Sequence, residues 1–191
     1  MAAMLNGARP ISWIGDQLGL TSTKVVALAE TVNGDRVPIF LPYLTGERSP
    51  HGDPRIRASF FGLEDSTTRA DICRSVVEAI AFCFADAALS FGDTIDDLPE
   101  LAAIGRGSRS ELLLGLIATV IGKPIVRSDG AASGPAYGAA RLAACGLGAL
   151  TKADLAYHPP TTERFEPAEM AALSERLMKF RRLYSAVKGV N

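Results

Sequence analysis

One long helix does most to limit the folds open to this chain. Thr68, with Asp71 three positions on, forms a capping box, and Ile72, Val76, Ile80 and Phe84 then recur at helical spacing to about Ser90. A helix of that length with an apolar stripe has to lie against a substantial core. The chain is long enough to build one: 191 residues, 48% of them hydrophobic, fit one good-sized domain or two small ones. Glu78 sits within the stripe among Val76, Val77 and Ile80. It reads as the buried partner of an arginine, with a polar position on the helix surface as the alternative.

Around that helix, shorter segments alternate. Ile11, Trp13, Ile14 and Leu18 predict a helix ending at Gly19, and a second runs from about Ser22 to Asn33-Gly34. Val37 to Leu44 suits a strand entering an irregular segment, and residues 45–65 form a long polar passage closed by Phe60-Phe61-Gly62-Leu63 as a bulky anchor. Leu101 to Ile104 reads as a short buried strand, followed by a glycine turn and a helix from about Ser110 to Gly122. Ile125-Val126 is a further strand. Ser133, as N-cap, and Pro135 then open a tightly packed Ala/Gly helix that stops at Gly146. Residues 151–165, with Pro159-Pro160, read as linker, and an amphipathic helix covers roughly Pro167 to Val187. This order predicts an α/β fold with helices packed on a small sheet.

Composition excludes several classes. Twenty Lys and Arg against 21 Asp and Glu leave a net charge of −1, which gives no basic footprint for nucleic acid or an anionic membrane. No apolar run approaches the roughly 18 residues of a membrane span, and Met1 to Arg9 lacks the apolar core of a signal peptide. Cys73, Cys83 and Cys145 lack metal-ligand spacing and lie in apolar surroundings, so they read as reduced core thiols of a cytoplasmic protein.

The strongest chemical signal is the strand–glycine turn–helix from Ala102 to Ile117. Gly105 and Gly107 let backbone approach a phosphate or nucleotide, Ser108 and Ser110 can cap the helix or bond an anion, and Arg106 can pair a phosphate or point to solvent. Such turns also join strand to helix with no ligand, so both readings stay open. Asp129 to Gly134 is a second turn of the same kind. His51 and His158 are loop histidines without a visible partner, and no nucleophile–base set or metal cluster can be assembled.

Several segments resemble one family in the same order. ASFFGLEDSTTRADICRSVVE (Ala58 to Glu78) matches the C-terminal signature of the FGGY carbohydrate kinases. LPYLTGERSPHGDP (Leu41 to Pro54), IGRGSRSELLLGLIATVIGKPI and SGPAYGAARLA (Ser133 to Ala143) resemble segments of its xylulokinase branch, as does the closing run from Lys179 to Tyr184. The resemblance implies part of the C-terminal lobe of the two-lobed, actin-like ATPase fold (ASKHA, ribonuclease H-like), spanning residues 1–191. It implies transfer of the ATP γ-phosphoryl group to a sugar hydroxyl, with ATP/ADP and Mg2+ as cofactors. It places the Gly105 to Ser110 turn, with Gly105, Arg106, Gly107 and Ser108, and Glu111 at the nucleotide, and the Ala8 to Ser12 start of the first helix, with Ser12, at its adenine side. Arg106 departs from the family's middle glycine; Gly115 and Thr119 stand where many relatives carry Gln and Asp.

The resemblance also sets expectations about what lies elsewhere. The family's Asp-x-Gly-Thr phosphate loop, sugar contacts and catalytic aspartate have no counterpart here, so no catalytic residue is assigned. The chain is expected to be incomplete on its N-terminal side and inactive alone. Its partners would be a separate N-terminal kinase lobe, needed for any sugar substrate, or a second copy pairing through an exposed sheet edge. A non-catalytic nucleotide-binding or self-pairing module is the alternative.

Overall fold

The computed structural model describes residues 1–32, 34–156 and 159–190. Helix α1 (Arg9–Leu18) has a proline in its first turn and stops at Gly19, which takes the left-handed conformation at φ 68°. Helix α2 (Ser22–Glu30) is capped by Thr21, whose hydroxyl accepts from the Lys24 N–H. Asn33, expected near its end, lies outside the described residues.

Strands β1 (Ile39–Leu41) and β2 (Ser59–Phe61) pair antiparallel, with Phe40 opposite Phe60. The passage between them is ordered by buried polar contacts. Glu47 is 2% exposed. Its carboxylate accepts from the backbone N–H groups of Leu5 and Arg48 and from the Asn6 side-chain amide. His51 is far from isolated: its Nε2 lies 3.0 Å from the Tyr43 hydroxyl, and its ring stacks on Tyr184 at 3.8 Å. Sequence alone gave it no partner because both tyrosines reach it from other segments. His158 lies outside the described residues.

Helix α3 (Arg69–Ala88) begins with the Thr68–Asp71 capping box. Its burial is broader than a single stripe. Val76, Val77, Ala79, Ile80, Ala81, Phe82 and Cys83 are all buried, because α1, α2, β1 and later helices surround it. Phe84, the last residue of the expected stripe, is instead exposed.

Then follow β3 (Leu101–Ala103), α4 (Glu111–Ile121), β4 (Ile125–Ser128), α5 (Pro135–Gly146), α6 (Lys152–Leu155), β5 (Thr161–Phe165) and α7 (Ala171–Val187). The sheet order is β3-β4-β5, parallel across the first pair and antiparallel across the second. Helices α3, α4 and α7 pack together in one apolar core that includes Leu113, Ile117, Leu173 and Phe180.

Four expectations are corrected. Strand β3 is only half-buried, and Ile104 beyond it is exposed, since β4 covers one edge of the strand alone. The segment read as linker contains β5, a polar edge strand without apolar alternation. It is fixed by its ladder to β4, by an Arg127–Glu163 ion pair and by the Thr162 hydroxyl donating to the Arg127 carbonyl. The cap of α5 is Gly134 at φ 51°, with no side-chain bond from Ser133. Finally, no residue of α5 is buried. Small side chains permit close packing without requiring it, and Gly138 faces open space. Of the cysteines, Cys73 and Cys83 are core thiols, and Cys145 is half-buried.

Candidate functional site

A cleft of about 1460 Å³ separates α1 and α2 from the strand–turn–helix unit, with Ile80 and Phe84 of α3 between the two walls. One wall presents Gly7, Ala8, Arg9 and Ser12, then Ser22, Thr23 and Glu30. The opposite wall runs from Leu101 through the 106–111 turn into α4.

The turn is built by its own backbone. Gly105 adopts φ 86°, ψ −173°, a region that only glycine enters readily, and starts a 3-10 turn over Arg106–Arg109. The Ser108 hydroxyl donates to the Gly105 carbonyl at 2.7 Å, and the Ser110 hydroxyl accepts from the Leu113 N–H to cap α4. Behind it, the Gly105 N–H donates to the Ala131 carbonyl at 2.8 Å. A Cβ on Gly134 would come within 3.1 Å of the Gly105 Cα, so glycine there lets the two strand-to-helix turns touch. Arg127 reaches from β4 to donate to the Ser108 carbonyl at 2.8 Å. Its bond with Glu163 pushes its already high pKa further up, so it stays a fixed cation.

The sequence-predicted residues fall as follows. Arg106, Gly107, Ser108 and Glu111 line one wall and Ser12 the other, so the fold brings together residues nearly a hundred positions apart. Gly105 shapes the turn from behind the lining. Ser108 is buried, and its hydroxyl proton is engaged within the turn. Ser12 donates to the Arg9 carbonyl at 2.9 Å. Glu111 has a largely exposed carboxylate 3.8 Å from Arg127 Nη2. Ser22 and Thr23 were missed, and Arg9 and Arg109 were covered only as members of the Ala8 to Ser12 and Gly105 to Ser110 segments. Helical periodicity marks the apolar faces of α1 and α2, whereas these polar residues matter only once the walls face each other.

The carboxylates on the lining are Glu30 and Glu111. Among the described residues no group of three His, Cys, Asp or Glu side chains could hold a metal ion. No helix among them is long and apolar enough to cross a membrane.

Comparison with known proteins agrees with this architecture. A sequence model described as the C-terminal domain of the FGGY family of carbohydrate kinases matches residues 10–147. The xylulose kinase of Escherichia coli (strain K12) is 32% identical over 195 residues, covering 96% of this chain and 39% of that protein. A glycerol kinase from Dechloromonas aromatica is 34% identical, over 82% of this chain and 34% of its own length. Among solved structures, a xyloylose kinase from Brucella ovis superposes with a TM-score of 0.85 at 32% identity, covering all of this chain and 41% of its own. A xylulose kinase from Lactobacillus acidophilus gives 0.81 at 26% identity, over 98% of this chain and 39% of its own. The chain thus spans about two fifths of the length of these xylulose kinases. It belongs to the FGGY family of carbohydrate kinases and carries the family's C-terminal domain.

Proposed function

We propose that this chain is the nucleotide-binding part of an ATP-dependent carbohydrate kinase that phosphorylates a hydroxyl of a pentulose such as D-xylulose in the cytoplasm. The observation that carries the reading is the meeting of Ser12 with the Arg106–Glu111 wall across one cleft. Helix α1 and the 3-10 turn would hold ATP or ADP from opposite sides. Xylulose kinases among the relatives support the choice of sugar. Mg2+ would enter with the nucleotide phosphates, which supply its oxygen ligands.

Phosphoryl transfer is catalysed chiefly by positioning and charge stabilisation from both sides of a cleft. On this reading Gly105, Arg106, Gly107, Ser108, Glu111 and Ser12 position the nucleotide. The carboxylate base and the sugar contacts lie in polypeptide beyond these 191 residues. Calorimetry with MgADP and a coupled assay with xylulose test this together. Saturable ADP binding without xylulose-dependent ADP formation is expected. Absence of heat up to millimolar MgADP overturns the nucleotide reading, and clear turnover overturns the assignment of the base to other polypeptide.

A second reading concerns pairing. The Leu101 N–H donates to the Pro124 carbonyl on the β4 side, so strand alternation turns the N–H and C=O of Ala102 outward. Exposed Ile104 and Phe84 flank that free edge. We assign it to a strand from the further polypeptide that the relatives carry, given that the match spans two fifths of their length. Light scattering after size exclusion tests the rival occupant. A monomer fits the assignment; a dimer abolished by Ala102→Pro makes a second copy the occupant.

A further inference from the structure

Five arginines elsewhere in the chain are held by carboxylates: Arg74 and Arg176 by Glu78, Arg127 by Glu163, Arg164 by Glu100 and Glu166, Arg181 by Asp86. Arg9, Arg106 and Arg109 are set apart by their shared place on one cleft lining. All three line the cleft and are exposed, and no side-chain hydrogen bond or ion pair joins them to any described residue. Opposing them on the lining are Glu30 and Glu111, and Glu111 already lies beside Arg127. The whole chain carries a net charge of −1, so this local cationic excess belongs to the cleft and not to the surface at large.

We propose that Arg9, Arg106 and Arg109 form an anion-binding mouth that takes the phosphate chain of a nucleoside di- or triphosphate. Arg106 sets the preference for phosphorylated over unphosphorylated nucleoside. This rests on the nucleotide reading above and adds the residues that select the phosphates.

Three features support Arg106 in particular. Its backbone is fixed before any ligand arrives, by the Gly105 turn, the Ser108 bond and the Arg127 bond to the Ser108 carbonyl. The planar guanidinium presents paired N–H donors that match two phosphate oxygens, an interaction stronger than a neutral hydrogen bond. Across the cleft, the ten-residue helix α1 begins at Arg9 after Ala8 as an N-cap without a side-chain bond, so its positive dipole end lies on the same lining as Arg9. A glycine at position 106 would offer an anion only backbone.

The test is titration calorimetry of the full chain with MgADP, adenosine and pyrophosphate, for the wild type, Arg106→Gln and Arg106→Lys. Matched circular dichroism and melting curves establish that the variants fold. ADP is expected to bind at least about tenfold more tightly than adenosine and to weaken with added salt. Arg106→Gln should lose about tenfold or more for ADP and pyrophosphate while leaving adenosine unchanged, and Arg106→Lys should retain part of the difference. ADP affinity unchanged in Arg106→Gln overturns the proposal while leaving the nucleotide reading intact. Wild type that binds pyrophosphate through Arg106, yet neither ADP nor adenosine, keeps the anion mouth and removes the nucleotide reading. Wild type that binds none of the three overturns both.

Discussion

Arg176, in the last helix, donates from its Nε to the Glu78 carboxylate at 2.7 Å across 98 positions of sequence, and both side chains are buried. The same carboxylate accepts from Arg74 Nε at 2.7 Å, one helical turn before it. Arg176 also donates to the Val37 and Pro38 carbonyls, so it ties α7 to α3 and to the segment entering β1. Glu78 is therefore the hub of a buried charge triad.

Replacing Glu78 by Ala leaves two guanidiniums buried without an anion. Removing one partner of a buried pair costs about 3–5 kcal/mol, and Glu78→Ala is expected in that range by urea denaturation. A loss below about 1 kcal/mol would show that water reaches the triad and replaces the carboxylate.

Two glycines of the loop between β1 and β2 separate backbone strain from crowding. Gly46 and Gly52 both have positive φ, 77° and 59°, so alanine is strained at either. At Gly52 an added Cβ meets nothing within 4 Å; at Gly46 it meets the Pro54 carbonyl oxygen at 2.6 Å. Gly52→Ala is expected to cost about 1–2 kcal/mol. Gly46→Ala should cost about 1–3 kcal/mol more, because backbone must move. Equal denaturation midpoints for the two variants would mean that the Pro54 backbone gives way freely.

His51 makes stability depend on pH. Burial pushes its pKa below the ordinary 6.5 and Lys188 acts the same way, against the pull of Asp86, Glu47 and Asp53. Asp86 is 3.9 Å from the ring and already paired with Arg181. Burial also keeps the Tyr43 phenol protonated, so its hydroxyl can donate to the neutral ring, which stacks on Tyr184. The folded chain thus binds fewer protons at this site than the unfolded chain. The stabilisation is complete above pH 6.5 and is lost as pH falls through the lowered value. Urea titrations between about pH 7.5 and about pH 5 should show a shallower acid loss for His51→Asn than for wild type. Parallel curves would exclude His51 as the source.

Legibility from sequence followed the origin of each signal. The α3 capping box, the Gly19 and Gly122 stops and the Gly105 turn are local, and they appeared where expected because their cause lies within a few residues. Strand β5 is held by bonds to Arg127, some 35 positions away, and has no apolar alternation to announce it. The cleft was half legible. Its glycine turn is a local motif, whereas Arg9 and Arg109 acquire meaning only from the opposing wall. The Ala/Gly run read as packed because small residues allow close approach, but contact depends on what the fold sets beside it, and α5 is exposed.

The Phe60-Phe61 pair converts that distinction into a measurement. Both look like anchors in sequence, yet alternation along β2 sends adjacent side chains to opposite faces. Phe60 stacks on buried Phe40 with centroids 4.2 Å apart, as expected for residues directly across the β1–β2 ladder. Phe61 is 64% exposed. Truncating a fully buried Phe costs about 3–5 kcal/mol, so half-buried Phe60→Ala is expected to cost about 2 kcal/mol. Phe61→Ala should stay within about 0.5 kcal/mol of wild type. Urea midpoints measured side by side decide it, and a larger loss for Phe61→Ala would reverse the assignment of the two faces.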